Sequence, residues 1–259
     1  MQEGQQTPVG QTTGHSSLRH LDHRPWPLPS GSWQWRQRWL DLGFIHYRVA
    51  AGVLRPLIPP ELEIDTFDGT AWVSVVPFTM ADLMWRNLPS IPPLNHFPEL
   101  NLRTYVHADG KAGVWFFSLD ADCLPIVLGA RYFHGIPYFR AAMIRKEEDD
   151  GMVFQSHRRC DGTAFRARFQ CRGPIFFSGR GSLEEWLTER YCLYAVRGRT
   201  LRRLEVHHEK WPLQSADFQI ERYDLLERAG IVTLDTPPLF HFSPGVDVVT
   251  FQPERLERV

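Results

Sequence analysis

The chain has 259 residues, a formal charge of −1, 43% hydrophobic and 13% aromatic residues, and nine tryptophans. That composition supports a sizeable core and excludes a fibrous or wholly disordered chain, while the near-zero charge gives no long-range pull on nucleic acid or membranes. No apolar run approaches the ~20 residues of a membrane helix, and the N-terminus lacks the apolar centre of a signal peptide, so a cytoplasmic protein is the expectation.

Residues 1–31 are rich in Gln, Gly, Thr, Ser, His and Pro and read as a disordered N-terminal arm ahead of a single domain over 32–259. His15, His20 and His23 fit no compact metal spacing, and no metal or cofactor is expected. Residues 33–49 form a strand and 50–57 a short helix stopped by Pro59-Pro60. A short strand at 62–65, a turn at 67–70 and a strand at 71–80 follow. Residues 84–97, with Pro89, Pro92 and Pro93, have no period and suit a lid or pocket rim.

The most informative stretch is 97–142. Glu99, Asn101, Arg103 and Tyr105 alternate with Leu100, Leu102, Thr104 and Val106, so the two sets face opposite sides of a strand. Asp109-Gly110 is a hairpin turn. The return strand, 113–119, is apolar on both faces, as in a buried strand. Asp120 or Asp122 can cap a helix with Pro125 in its first turn, stopped by Gly135 and Pro137.

Residues 152–160 and 163–171 form a hairpin about Asp161-Gly162, which pairs Phe154 with Phe169 and Arg158 with Phe165. That pairing sets Cys160 against Thr163 and argues against a Cys160–Cys171 disulfide. Ser182 to Glu185 is a capping box opening a helix through about Ala195. Strands at 200–208, 216–220, 240–242 and 246–251 and a short helix at 223–229 complete the chain. Many short strands with two or three helices and no βαβ rhythm indicate a mainly β (α+β), antiparallel sheet or barrel. Residues 155–204 hold eleven arginines against four acids, either a solvated sheet face or a patch for an anionic partner.

The pieces WLDLGFIH (39–46), LRPLIPPEL (54–62), FPELNLRTYV (97–106), GVWFFSLDA (113–121), ARYFHGIPY (130–138), LTERYCLYA (187–195) and HHEKWPLQSA (207–216) together resemble the YqjF-like proteins, a bacterial family of uncharacterised function. More remotely the chain resembles acetoacetate decarboxylase. That likeness rests on residues 47–65 and on Gly129-Ala130-Arg131 followed by Gly135-Ile136-Pro137. It implies an antiparallel β-barrel around a small closed cavity, with Glu99 at the place of a cavity glutamate. The decarboxylase forms a Schiff base through a lysine whose pKa is lowered by a neighbouring lysine. Here the corresponding positions are Tyr138 and Phe139, and the chain's lysines are Lys111, Lys146 and Lys210. Acetoacetate decarboxylase activity is therefore not expected.

Glu99, Asn101, Arg103, Tyr105, Arg131 and Tyr138 are the ligand-contact candidates, with Glu99 and Tyr138 the candidate acid–base groups. Glu99 either forms a structural ion pair with Arg103 or Arg131 or joins one of them in orienting a ligand. His134 is read as a helix-end residue, and His207-His208-Glu209 as a false metal motif, since neighbours on a strand face opposite ways. The expectation is a barrel that encloses a small, partly apolar ligand with a polar or carboxylate end, as a lyase- or isomerase-type enzyme without an imine. A non-catalytic sensor or carrier is the alternative, and docking of an anionic partner on 155–204 a third reading. Nucleic acid and membrane are not expected partners, and homo-oligomerisation stays open.

Overall fold

Strand-forming residues dominate the chain wherever the structure, a computed structural model, describes it: residues 15–92, 94–148 and 151–256. The first half runs β1 (Trp35–Val49), α1 (Ala51–Leu54), β2 (Glu63–Ile64), β3 (Ala71–Trp85), β4 (Phe97–Ala108) and β5 (Lys111–Ala121). Next come α2 (Leu124–Gly129), β6 (Tyr138–Glu148), β7 (Gly151–Arg158), β8 (Ala164–Phe176) and α3 (Leu183–Thr188). The last part is β9 (Cys192–Arg197), β10 (Thr200–His208), β11 (Leu213–Tyr223), α4 (Leu225–Arg228), β12 (Leu239–Thr250) and β13 (Glu254–Arg255). Among the described residues there are four short α-helices where two or three were expected, α1 and α4 being single turns. Among the described residues no helix is long and apolar enough to cross a membrane.

Among the described residues thirteen strands belong to one sheet, and its pairings return on themselves. One ring runs β5–β9–β10–β12–β1–β3–β4 and back to β5; a second leaves β5 through β6, β7, β8 and β11 to reach β12. The expectation of an antiparallel sheet needs correction, because β5 pairs in parallel with both β6 and β9. Leaving β5, the chain crosses over through α2 before entering β6, and such a crossover is what a parallel neighbour requires. The β4–β5 hairpin is as expected: Asp109 and Gly110 take φ 50° and 73°, and Ala108 pairs with Lys111.

Three local expectations change. Asp120 does not cap α2; it is buried and accepts from Arg158 Nε at 2.5 Å and Ser156 Oγ at 2.9 Å. The helix opened by Ser182 ends at Thr188, not near Ala195, and Cys192–Arg197 becomes a strand between β5 and β10. The β7–β8 hairpin pairs Phe154 with Ala167 and Ser156 with Phe165, a shift of two residues from the expected register. Asp161 causes it: its Oδ1 accepts from Thr163 N at 2.9 Å and Thr163 Oγ1 at 2.7 Å, folding a wider loop.

Within the expected N-terminal arm, 1–31, the described part from His15 makes specific contacts with the sheet. Residues 1–14 lie outside the described residues, but His15 onward packs against β10. Arg24 Nη1 donates to Val206 O at 2.6 Å, His23 Nε2 to His208 O at 2.8 Å, and His207 Nε2 to Ser17 O at 2.9 Å. Arg24 also pairs with Glu205, a carboxylate that accepts from Trp26 Nε1 at 2.9 Å and Lys111 Nζ at 2.5 Å. Burial would raise the Glu205 pKa, but Lys111, Trp26 and Arg24 hold it below its ordinary value. Buried ion pairs lose heavily when one partner is removed. Glu205→Gln should therefore cost about 3 kcal/mol in urea unfolding and speed proteolysis within residues 15–31. Unchanged stability and cleavage would show that this carboxylate does not hold the segment.

Candidate functional site

Inside the ring β5–β9–β10–β12–β1–β3–β4 lies a cavity of about 140 Å³ to which each of these strands contributes lining. Most of the wall is apolar: Trp39 and Leu42 from β1, Val76, Phe78 and Met80 from β3, Val114, Phe116 and Leu119 from β5, and Trp211 after β10. Trp39 and Trp211 stack with ring centroids 6.0 Å apart, and Trp211 lies 4.9 Å from the His208 ring. Against this wall stand the polar side chains of β4.

Alternation along β4 places Glu99, Asn101 and Arg103 in the cavity, and Tyr138 at the start of β6 joins them. These four candidates are brought together. Glu99 accepts from the Tyr138 hydroxyl at 2.9 Å. Burial pushes its carboxyl pKa up to about 8, although the Tyr138 and Asn101 side chains pull the other way. The Tyr138 hydroxyl is in turn held well above its usual pKa by burial and by Glu99. Glu99 therefore holds its proton at neutral pH.

Arg103 lies four residues further along, about 13 Å at the strand rise. Among the described residues neither it nor Arg131 forms an ion pair with Glu99, which settles that expectation against a structural pair. Burial brings the Arg103 pKa down, but a guanidinium begins so high that it stays charged. Its Nε and Nη2 are buried without a hydrogen-bond partner, as is Asn101 Oδ1. Its flat faces approach the Phe44 and Tyr105 rings at 5.9 and 6.0 Å. The cavity thus has a cationic pole at Arg103 and a protonated acid–phenol pole at Glu99 and Tyr138.

Two candidates fall elsewhere. Tyr105 shares the alternation of Arg103, but it lies one step further along β4, past the end of the cavity lining. Tyr105 is buried behind the cavity, within 2.5 Å of Ser74 Oγ and donating to Leu187 O at 3.0 Å. Ser74 Oγ also lies 2.6 Å from His46 Nδ1. Arg131 is exposed. Ile126, Val127 and Ala130 pack inward from α2 and the π turn that follows it, and Arg131 falls on the outer side with Leu128 and Tyr132. The proline-rich loop is not a rim either, since none of its described residues lines the cavity.

Sequence reasoning missed Arg190, Cys192 and His208, which line the cavity from the α3–β9 connection, β9 and β10. Carrying α3 on to Ala195 concealed the alternation of Thr188, Arg190 and Cys192 on the inward side. His208 donates through Nδ1 to Glu209 O at 2.7 Å, and burial lowers its pKa to about 4, so it is neutral. Burial also raises the Cys192 thiol to about 11, so it is not an activated nucleophile. His207 turns away from the cavity to Ser17. Among the described residues no three His, Cys, Asp or Glu side chains gather as a metal set.

All three lysines lie away from the cavity: Lys111 on Glu205 at 2.5 Å, Lys146 on Glu148 at 3.5 Å, and Lys210 on Ser178 O at 2.9 Å. The arginine-rich stretch is largely neutralised by acids from other elements. Arg158, Arg166, Arg168, Arg172, Arg190 and Arg203 pair with Asp120, Glu221, Glu148, Asp217, Asp65 and Glu254.

Solved structures of the same fold include an acetoacetate decarboxylase, 15% identical with a TM-score of 0.63 over 88% of this chain and 90% of that one. The enduracididine biosynthesis enzyme MppR complexed with pyruvate is 13% identical, with a TM-score of 0.58 over 90% of this chain and 93% of its own. The protein YqjF of Bacillus subtilis (strain 168) is 42% identical over 223 residues, covering 86% of this chain and 92% of that protein. A family model described as an uncharacterised conserved protein matches residues 36–247. The chain belongs to that family, DUF2071, together with YqjF.

Proposed function

We propose that the ring of strands acts as a barrel wall enclosing a small, partly apolar monocarboxylate, anchored by Arg103. One observation carries this reading: a buried guanidinium with two unpartnered nitrogens faces a largely apolar cavity whose one lining carboxyl, Glu99, lies at the other end. A buried cation without a counter-charge is costly, and a carboxylate can meet a guanidinium through two parallel hydrogen bonds. A cavity of about 140 Å³ suits a ligand near benzene in size, since an engineered apolar cavity of about 150 Å³ takes up benzene. The pyruvate complex of MppR supports the reading by analogy of fold alone.

Glu99 and Tyr138 supply the second half of the proposal. A carboxyl with a pKa of about 8 is suited to general acid–base work near neutral pH. Placed across the cavity from the anchor, it would hold or move a proton at the far end of the ligand. This is lyase- or isomerase-type chemistry without an imine. A sensor or carrier would use the same cavity and differ in releasing its ligand unaltered.

Butyrate should bind and its neutral isostere butyramide should not, and Arg103→Gln should weaken butyrate binding at least about tenfold by calorimetry. Equal binding of acid and amide by the wild type would refute the anchor. Borohydride with pyruvate should leave no adduct on the protein, whereas a stable mass increase on Lys111, Lys146 or Lys210 would restore imine chemistry.

Glu99 sets a pH dependence. Its folded pKa of about 8 exceeds the ordinary 4.5, so the folded chain keeps a proton that the unfolded chain releases. The stabilisation is complete below the unfolded value and is lost as pH rises through the folded one. From about pH 5.5 to about pH 8 the wild type should lose about 3 kcal/mol, or roughly 6–12 °C in Tm, relative to Glu99→Gln. Parallel pH–Tm curves for the two proteins would mean that Glu99 is ionised in the fold.

A further inference from the structure

Arg190 is the one residue, among those described, that lines both the enclosed cavity and a surface cleft beside it. The cleft is walled by residues 22–25 of the docked N-terminal segment, by Asp65 and Phe67, and by the stretch 180–191. Residues 188–192 form the partition. Thr188 and Cys192 face the cavity, Glu189 and Tyr191 face the cleft, and Arg190 borders both. Nη1 of Arg190 pairs with Asp65 Oδ2 at 2.5 Å, and Nε donates to Trp186 O at 2.7 Å. Nη2 is buried with no partner, and the side chain is only 4% exposed.

The guanidinium of Arg190 lies over the Tyr105 ring at 4.9 Å, the ring that Arg103 approaches from 6.0 Å, and its charge weighs on Arg103. Two cations therefore sit at one pole of the cavity, and the carboxylate paired with Arg190, Asp65, lies on its cleft side. Two guanidinium groups set against that one ion-paired carboxylate leave one positive charge in excess. One unit fits a monocarboxylate and leaves a dicarboxylate uncompensated. Asp65, on the cleft side, occupies the guanidinium edge that an incoming anion would use.

We propose that Arg190 is a second anion-binding residue of this site, which receives a monocarboxylate from the cleft in exchange for Asp65 and shares it with Arg103. The inference rests on the reading of the cavity as a carboxylate site. It assigns the ligand's charge and way in, and it gives Asp65 the role of an internal competitor.

The two members of the pair then have opposite effects, which a purely structural ion pair would not. With butyrate as probe and calorimetry on the full chain, Arg190→Gln should weaken binding about tenfold or more. Asp65→Asn, which frees the same guanidinium, should tighten it several-fold, and succinate should bind more weakly than butyrate. Butyrate affinity unchanged in Arg190→Gln, or unchanged or weakened in Asp65→Asn, overturns the role of Arg190 and leaves Arg103 as the anchor. Should Arg190→Gln fail to fold, the sign of the Asp65→Asn effect decides alone. A wild type that does not distinguish butyrate from butyramide overturns the carboxylate reading itself, and this inference with it.

Discussion

The backbone of β5 must serve three neighbours at once. β4 takes one edge along its length, while the other edge is divided between β9, which pairs at Val114 and Trp115, and β6, which pairs from Leu119 to Ala121. Between those two footholds the neighbouring strands part, and the sheet splits into its two rings. Close approach makes this possible. A Cβ on Gly113 would lie 2.6 Å from the Cys192 carbonyl oxygen, and Gly135, at φ 72°, would set one 2.3 Å from that of Val196. Glycine at 113 lets β9 reach the shared strand, and glycine at 135 lets the turn before β6 lie against β9. The apolar faces of β5 then serve both rings.

Enclosure by paired strands also controls the chemistry. A closed ring leaves no open edge among its members, so few backbone polar groups remain to moderate the charges of side chains that point inward. In that setting β4 carries an acid that keeps its proton and, about 13 Å away, a cation that keeps its charge. Exclusion from water disfavours the charge on both groups; it carries the carboxyl from its ordinary 4.5 past neutrality, whereas the guanidinium begins so far above that it stays charged. One strand thus delivers both a donor and a cation.

How much of this could be read from the residues depends on whether a signal is local. The two-residue period of Glu99 to Arg103 and the Asp109-Gly110 turn are local, and both led to the observed strand and hairpin. The end of α3 has no Gly or Pro to announce it, and Tyr191 to Val196 keep a spacing compatible with a helix. Arg190, which lines the cavity, was consequently counted only with the arginine-rich stretch 155–204. Partnerships across the fold were least legible. Asp120 looked like a cap and proved to be the counter-ion of Arg158, and Arg24 looked like part of a loose arm and proved to be the partner of Glu205. Arg103 could be placed on the correct face, but whether it faced an acid depended on the side chains that other strands brought to it.

The β7–β8 hairpin differs from its expected register by two residues, yet Phe154, Phe165 and Phe169 remain buried. A side chain returns to the same face every second residue, so displacement by two exchanges partners without exchanging inside for outside. For this hairpin, loop length is constrained by parity more tightly than by size. Insertions or deletions of two residues near Asp161 preserve the buried face, whereas a single residue would turn arginines into the core and phenylalanines into water.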